Sequence, residues 1–144
     1  MEETFSAVLS LVLFALLVVA YLRQRRERRA ARRQGPVRAR VASVDREEYR
    51  TRSTRWRVVT VYEVGPDSLM HTRFFGDEGP ALLWARLHRV GSEHEIYPNP
   101  LVPGEAFVRE DLKRVDPMLA VTLVAGGGLL AYGLWQIASE LWLE

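Results

Sequence analysis

Marked by hydrophobic and polar positions alone, the chain divides into three regions. Residues 4 to 21, TFSAVLSLVLFALLVVAY, carry no formal charge, and a second apolar run extends from Met118 to Ala138. A helix rises ~1.5 Å per residue, so about 20 apolar residues cross the ~30 Å hydrocarbon core with every backbone group satisfied internally. Two transmembrane helices are therefore expected, over 4–22 and 117–140, the second capped by Asp116 and opened by Pro117. A cleaved leader is the competing reading of the first run, with Val18-Val19-Ala20 as its small-residue site. Such a leader carries its positive charge before the apolar stretch, whereas here Glu2 and Glu3 precede it and arginines follow.

Past the break at Gln34-Gly35-Pro36 the period shortens to two. Val37, Ala39 and Val41 alternate with Arg38 and Arg40, and Asp45 to Thr54 is polar enough to read as a loop. Arg55 to Val64, RWRVVTVYEV, is rich in β-branched and aromatic residues and puts Trp56, Val58, Thr60, Tyr62 and Val64 on one face of a strand. Gly65-Pro66-Asp67-Ser68 signals a turn, after which Leu69 to Phe75 returns as a second strand. Pro80 to His88 suits a short helix with Leu83 and Leu87 at i,i+4, ended by Gly91. Glu93 to Tyr97 is a further strand, and Ala106-Phe107-Val108 another strand or a segment packed on the sheet. Trp56, Tyr62, Phe74, Phe75, Trp84 and Phe107 are the expected core fillers. The fold class is thus membrane α+β, a two-helix transmembrane hairpin around a small β-rich domain (37–115) of three to four strands and one short helix.

Charge gives this architecture a direction. Leu22 to Arg40 holds nine Arg and one Glu, and 19 of the 20 basic residues are Arg, a bias that a GC-rich genome explains as well as guanidinium chemistry does. Arg23, Arg25, Arg26, Arg28, Arg29, Arg32 and Arg33 form a basic juxtamembrane segment (23–36) directly after the first span. Such residues mark the cytoplasmic side. Arg109, Lys113 and Arg114 precede the second span while only Glu140 and Glu144 follow it. Both termini are therefore expected outside and the middle domain in the cytoplasm. The arginines suit anionic lipid headgroups as well as orientation. Nucleic acid is disfavoured, because no aromatics interleave with them and no binding motif is present.

Chemistry is sparse. With no cysteine there is no disulfide or thiol catalysis, and no nucleophile elbow, phosphate loop, dinucleotide fingerprint or zincin helix occurs. His71, His88 and His94 are spaced without any sign of convergence, and His94 between Glu93 and Glu95 reads as solvated. No cofactor, metal or catalytic residue is expected, and the protein is read as a non-enzyme. Within the second apolar run, Thr122, Gly126, Leu129, Gly133 and Gln136 follow a 4-3-4-3 spacing, a seam on which a helix carrying Ser6 and Ser10 would pack.

The middle region resembles the bacterial membrane family catalogued as domain of unknown function 3592, whose members commonly set a β-rich domain between two spans. The resemblance rests on Val59 to Val64 with Tyr62, followed by Gly65; on Arg73-Phe74-Phe75-Gly76; and on a closing motif. That motif is Gly91, then Tyr97, Asn99-Pro100 and Pro103. Pro98 departs from the family pattern, removes a backbone donor and points to an edge strand. The resemblance implies the two-span architecture and a bacterial inner-membrane location, and assigns no catalytic residue. The expected role is a non-catalytic membrane interaction or accessory protein. Its partner would be another membrane protein or complex, or a second copy. The alternative is an immunity protein against a membrane-acting toxin.

Overall fold

A computed structural model describes residues 2–50, 54–113 and 117–142, with side chains described for 8–49, 54–113, 120–135 and 138. The chain forms two compact units: residues 1–26 with 114–144, and residues 27–113. Helix α1 (Glu2–Gln34) and strand β1 (Val37–Arg50) are divided at Gly35-Pro36, where Gly35 takes φ 86° and its N–H donates to the Ala31 carbonyl at 3.2 Å. This is the left-handed helix end that glycine tolerates best. Then follow β2 (Thr54–Val64), β3 (Asp67–Phe75), α2 (Glu78–Leu87), β4 (Glu93–Pro98), β5 (Ala106–Val108), α3 (Arg109–Lys113) and α4 (Pro117–Trp142).

The five strands make one antiparallel sheet in the order β3-β2-β1-β4-β5, one strand more than the upper expectation. The short β5 accounts for the difference, and β1 is longer than expected. Asp45 to Arg50 is not a loop but the charged end of β1, paired with β2 from Asp45↔Val59 to Arg50↔Thr54. Its polar side chains are stabilised across the strands, as where Arg57 Nη2 donates to Glu47 Oε2 at 2.5 Å. The three-residue β5 pairs with β4 through Ile96↔Val108 and Pro98↔Ala106. A β-bulge between Val41 and Ser43 bends β1, and the two edges meet at a parallel bridge, Met70↔Glu105. Round this circuit the order is β1-β2-β3-β5-β4-β1 with α2 in the β3–β4 connection, the strand order of a partly open OB-type barrel.

Pro98 is not on an edge strand, since β4 lies between β1 and β5. The next residue, Asn99, donates its N–H to Glu105 on the β5 side at 2.9 Å, so Pro98's backbone nitrogen faces the other way. There β1 has already ended, its first residue Val37 pairing with Ile96. The missing donor therefore costs no ladder bond.

Strand alternation places the core as the sequence predicts. Val58, Thr60 and Tyr62 of β2 are buried, as are Ala39 and Val41 of β1, Ile96 of β4 and Ala106 and Val108 of β5. Helix α2 lays Ala81 and Trp84 against this face. Among the expected fillers, Tyr62 and Trp84 are buried and Trp56, Phe75 and Phe107 half-buried. Phe74 is instead 55% exposed, because it alternates with Phe75 onto the outer face opposite Arg57.

Among the described residues one helix is long and apolar enough to cross a membrane: α1, whose first part lies in the other unit and whose end from Glu27 belongs to the β domain. The apolar part of α4, Ala120–Trp135, is shorter.

Candidate functional site

The inner face of the barrel gathers all three histidines, contrary to the expectation that they stay apart. His71 stacks on Trp84 with ring centroids 5.5 Å apart, Trp84 on His88 at 3.9 Å and His88 on His94 at 4.3 Å. The fold does this by placing His71 opposite Thr60 in the β2–β3 ladder, Trp84 and His88 one turn apart on α2, and His94 opposite Ala39. None of these separations leaves a local sequence signal. His94 is half-buried rather than solvated.

Hydrogen bonds fix how each ring is protonated. The Trp84 carbonyl only accepts, so His88 donates through Nδ1–H at 3.0 Å. Ser92 Oγ donates to the Arg89 carbonyl at 2.6 Å and therefore accepts from His94 Nε2–H at 2.9 Å. His71 Nε2–H donates to the Asp111 carboxylate at 2.5 Å. Trp84 Nε1–H donates to Thr60 Oγ1 at 3.1 Å, and the Arg73 guanidinium lies over the Trp84 ring at 4.7 Å while pairing with Glu110 at 3.1 Å.

Burial sets the electrostatics of this column. It pushes His88 below the ordinary histidine value, outweighing the Trp84 hydrogen bond that acts the other way. Burial also pushes the Tyr62 phenol well above its ordinary range, and the nearby Asp111 charge adds to that. For Asp111 burial acts upward, but the His71 hydrogen bond and the charges of His71, Arg73 and Arg28 prevail and hold the carboxyl below the usual range. The His71–Asp111 pair has the first half of a catalytic dyad's geometry and lacks the second. His71 Nδ1 is buried with no hydrogen-bond partner, so no nucleophile stands on it, and the side chain is only 4% exposed. Among the described residues no group of three His, Asp or Glu side chains is placed to hold a metal ion. The column is chemically a packed, polar-tipped core.

Its outer end meets the basic segment of α1. Ala31 is fully buried, Arg32 Nη2 donates to the Leu112 carbonyl, and half-buried Arg28 lends its charge to Asp111. The seven arginines thus divide. Half-buried Arg28 and exposed Arg32, through its bond to Leu112, are tied to the β domain; Arg25, Arg26, Arg29 and Arg33 are exposed, and Arg23 is exposed but not unpartnered. A positional count from the sequence treats all seven alike, because the partners Leu112 and Asp111 lie some 80 residues away.

The family-like residues serve the fold. Gly91 takes φ 86°, and its N–H donates to the Val41 carbonyl at 2.7 Å beside the bulge. Asn99 is buried, accepts from Leu101 N–H at 3.1 Å through Oδ1 and leaves Nδ2 without a partner. With exposed Pro100 and Pro103 it forms the turn that brings the Gly104 carbonyl to Met70 N–H at 2.8 Å, joining the sheet's two edges. Tyr62 fills the barrel with its hydroxyl unpartnered, and Tyr97 pairs with Phe107 on the outer face.

The half-buried face of α4 shares Gly126 and Gly133 with the expected seam and lies about one position round from it. Phe14 of α1 sits over Gly126 and Gly127: a Cβ added at Gly126 would lie 3.0 Å from its ring and one at Gly127 3.8 Å. Half-buried positions on α4 are Ala120, Leu123, Gly126, Gly127, Leu130 and Gly133. Thr122 is off this face, Leu129 is 71% exposed, and Ser10 is exposed on α1. The side chains of Ser6 and Gln136 lie outside the described residues. Among the described residues the contact is a phenylalanine in a glycine notch, a fit of shape and not of polarity. The signal available was the one aromatic residue in the middle of the first apolar run.

No family model matches this chain, and no curated protein or solved structure does either.

Proposed function

We propose that this chain is a non-catalytic integral membrane interaction or accessory protein, its β-rich domain held on the cytoplasmic face of a bacterial inner membrane. The observation that carries the reading is the double use of α1. An apolar helix long enough to span runs into an arginine-rich stretch, and part of that stretch, Ala31 and Arg32, is packed into the domain. A span followed by arginines orients with those arginines in the cytoplasm, which puts the domain there too. The fit of Phe14 to Gly126 supports α4 as a second span in a hairpin, with both termini outside. The motif residues that join the sheet edges support kinship with the family of unknown function 3592. The partner is another membrane protein or complex, or a second copy, and anionic headgroups meet the exposed arginines.

Crosslinking in native membranes, followed by identification of what is captured, tests this role. Recovery of one specific membrane complex is the expected result. Turnover of a substrate by the purified chain, lost on His71→Gln, would overturn it. Capture of a membrane-acting toxin would select the immunity role instead.

A further inference from the structure

Helix α2 has two faces, and the column in the barrel uses only one. Ala81, Trp84 and His88 point inward. On the opposite side Leu83 is 58% exposed and Leu87 60%, and Val90, in the turn that follows the helix, is 68% exposed. The i, i+4 spacing of Leu83 and Leu87 that predicts a helix in the sequence therefore belongs to its outer side. Arg86 and Arg89 stand exposed among these three aliphatic residues, and no carboxylate occurs between Glu78 and Glu93. Large aliphatic side chains on the outer side of a short helix and in the turn after it, flanked by guanidinium groups, are the pattern of a segment lying in a membrane interface.

We infer that the outer face of α2 docks on an anionic lipid leaflet, with Leu83, Leu87 and Val90 entering the acyl boundary and Arg86 and Arg89 pairing with headgroup phosphates. Charge complementarity singles out this occupant. A second copy related by a two-fold axis would bring Arg86 and Arg89 against their own equivalents, whereas an anionic leaflet neutralises them. The inference rests on the membrane reading of α1, which would keep the leaflet at high effective concentration because only Gly35 and Pro36 separate that helix from β1. The docked face is separate from the arginines of α1, which act at the span itself. It would turn a tethered domain into one held in a fixed orientation, with the outer faces of β2 and β3 left for a protein partner.

The absence of cysteine makes the test direct. Full-length chains carrying a single nitroxide label at Leu87→Cys, at Glu63→Cys or at Leu16→Cys are placed in nanodiscs of phosphatidylcholine alone or mixed with phosphatidylglycerol. Collision with oxygen is then compared with collision with a water-soluble nickel chelate. The expected result is a lipid-like label at 87 in the anionic discs only, a water-like label at 63 throughout, and a lipid-like label at 16 throughout. Arg86→Glu with Arg89→Glu returns the label at 87 to water while leaving circular dichroism unchanged. A label at 87 as water-exposed as that at 63, with 16 still in hydrocarbon, overturns the docking alone. Protection at 87 that persists in detergent with spin–spin broadening overturns it in favour of a second copy. A water-exposed label at 16 overturns the membrane reading and the docking together.

Discussion

Trp84 in the β domain and Phe14 on the first helix each anchor a packed region, by different physics. Trp84 is buried among rings and held by polar groups: its N–H donates to Thr60, its carbonyl accepts from His88, and Arg73 covers its face. Phe14 has only shape, a ring set into the notch left by Gly126 and Gly127. In water, removing apolar surface drives folding and any buried polar atom then needs a partner. Between helices in lipid that drive is missing, and close approach at small residues takes its place. The first region should therefore respond to changes of volume and of protonation, and the second to volume alone.

The largest expected effect is at the anchor of the domain. Trp84→Ala should destabilise it by about 3–5 kcal/mol, since a buried aromatic is lost and a cavity left among Val58, Ala81 and Val108. A denaturant midpoint followed by the remaining tryptophans measures this. Next comes the notch. Gly126→Leu should cost about 1–3 kcal/mol by overpacking against Phe14 and lower the melting temperature in detergent. Gly133→Leu should do much less, because among the described residues a Cβ there meets nothing within 4 Å. Equal effects at the two glycines would show that the notch is not special.

Tyr62→Phe should be neutral or stabilise by up to about 1 kcal/mol, because the hydroxyl it removes is buried without a partner. The smallest effect, and the one that separates the regions most cleanly, is on pH dependence. His88 has a folded pKa below the ordinary 6.5, so the unfolded chain binds the proton first. Stability of the domain should be full above pH 6.5 and decline as pH falls through that value toward the folded pKa. Asp111 acts lower still: its stabilisation is present above its unfolded value, near 3.8, and lost as pH falls through its depressed folded pKa. His88→Leu should flatten the first limb, while the α1–α4 contact stays insensitive to pH throughout.

The same contrast explains what was legible in the sequence. Alternation on β2 and on the start of β1 is a local record of burial, and Val58, Thr60 and Tyr62 lie where it puts them. Asp45 to Arg50 carries no such record. It is a strand because β2 pairs with it, not because its own residues alternate. The histidine column is assembled by register across the ladder and by the turn of α2, so no spacing announced it. In the helix pair the glycines were visible, but a 4-3-4-3 spacing fits several faces, and only the contact with Phe14 selects one. Leu83 and Leu87 show the limit of periodicity most plainly: it identified a helix and left open which side was covered.

In the proposed topology α1 spans the membrane with its arginines and the β domain on the cytoplasmic side. Labelling single cysteines at Ser53 and Ser139 from outside intact cells with an impermeant thiol reagent tests it most directly. Reaction at position 139 and none at 53 until the cells are opened is the result expected. Reaction at 53 with position 139 protected would contradict it.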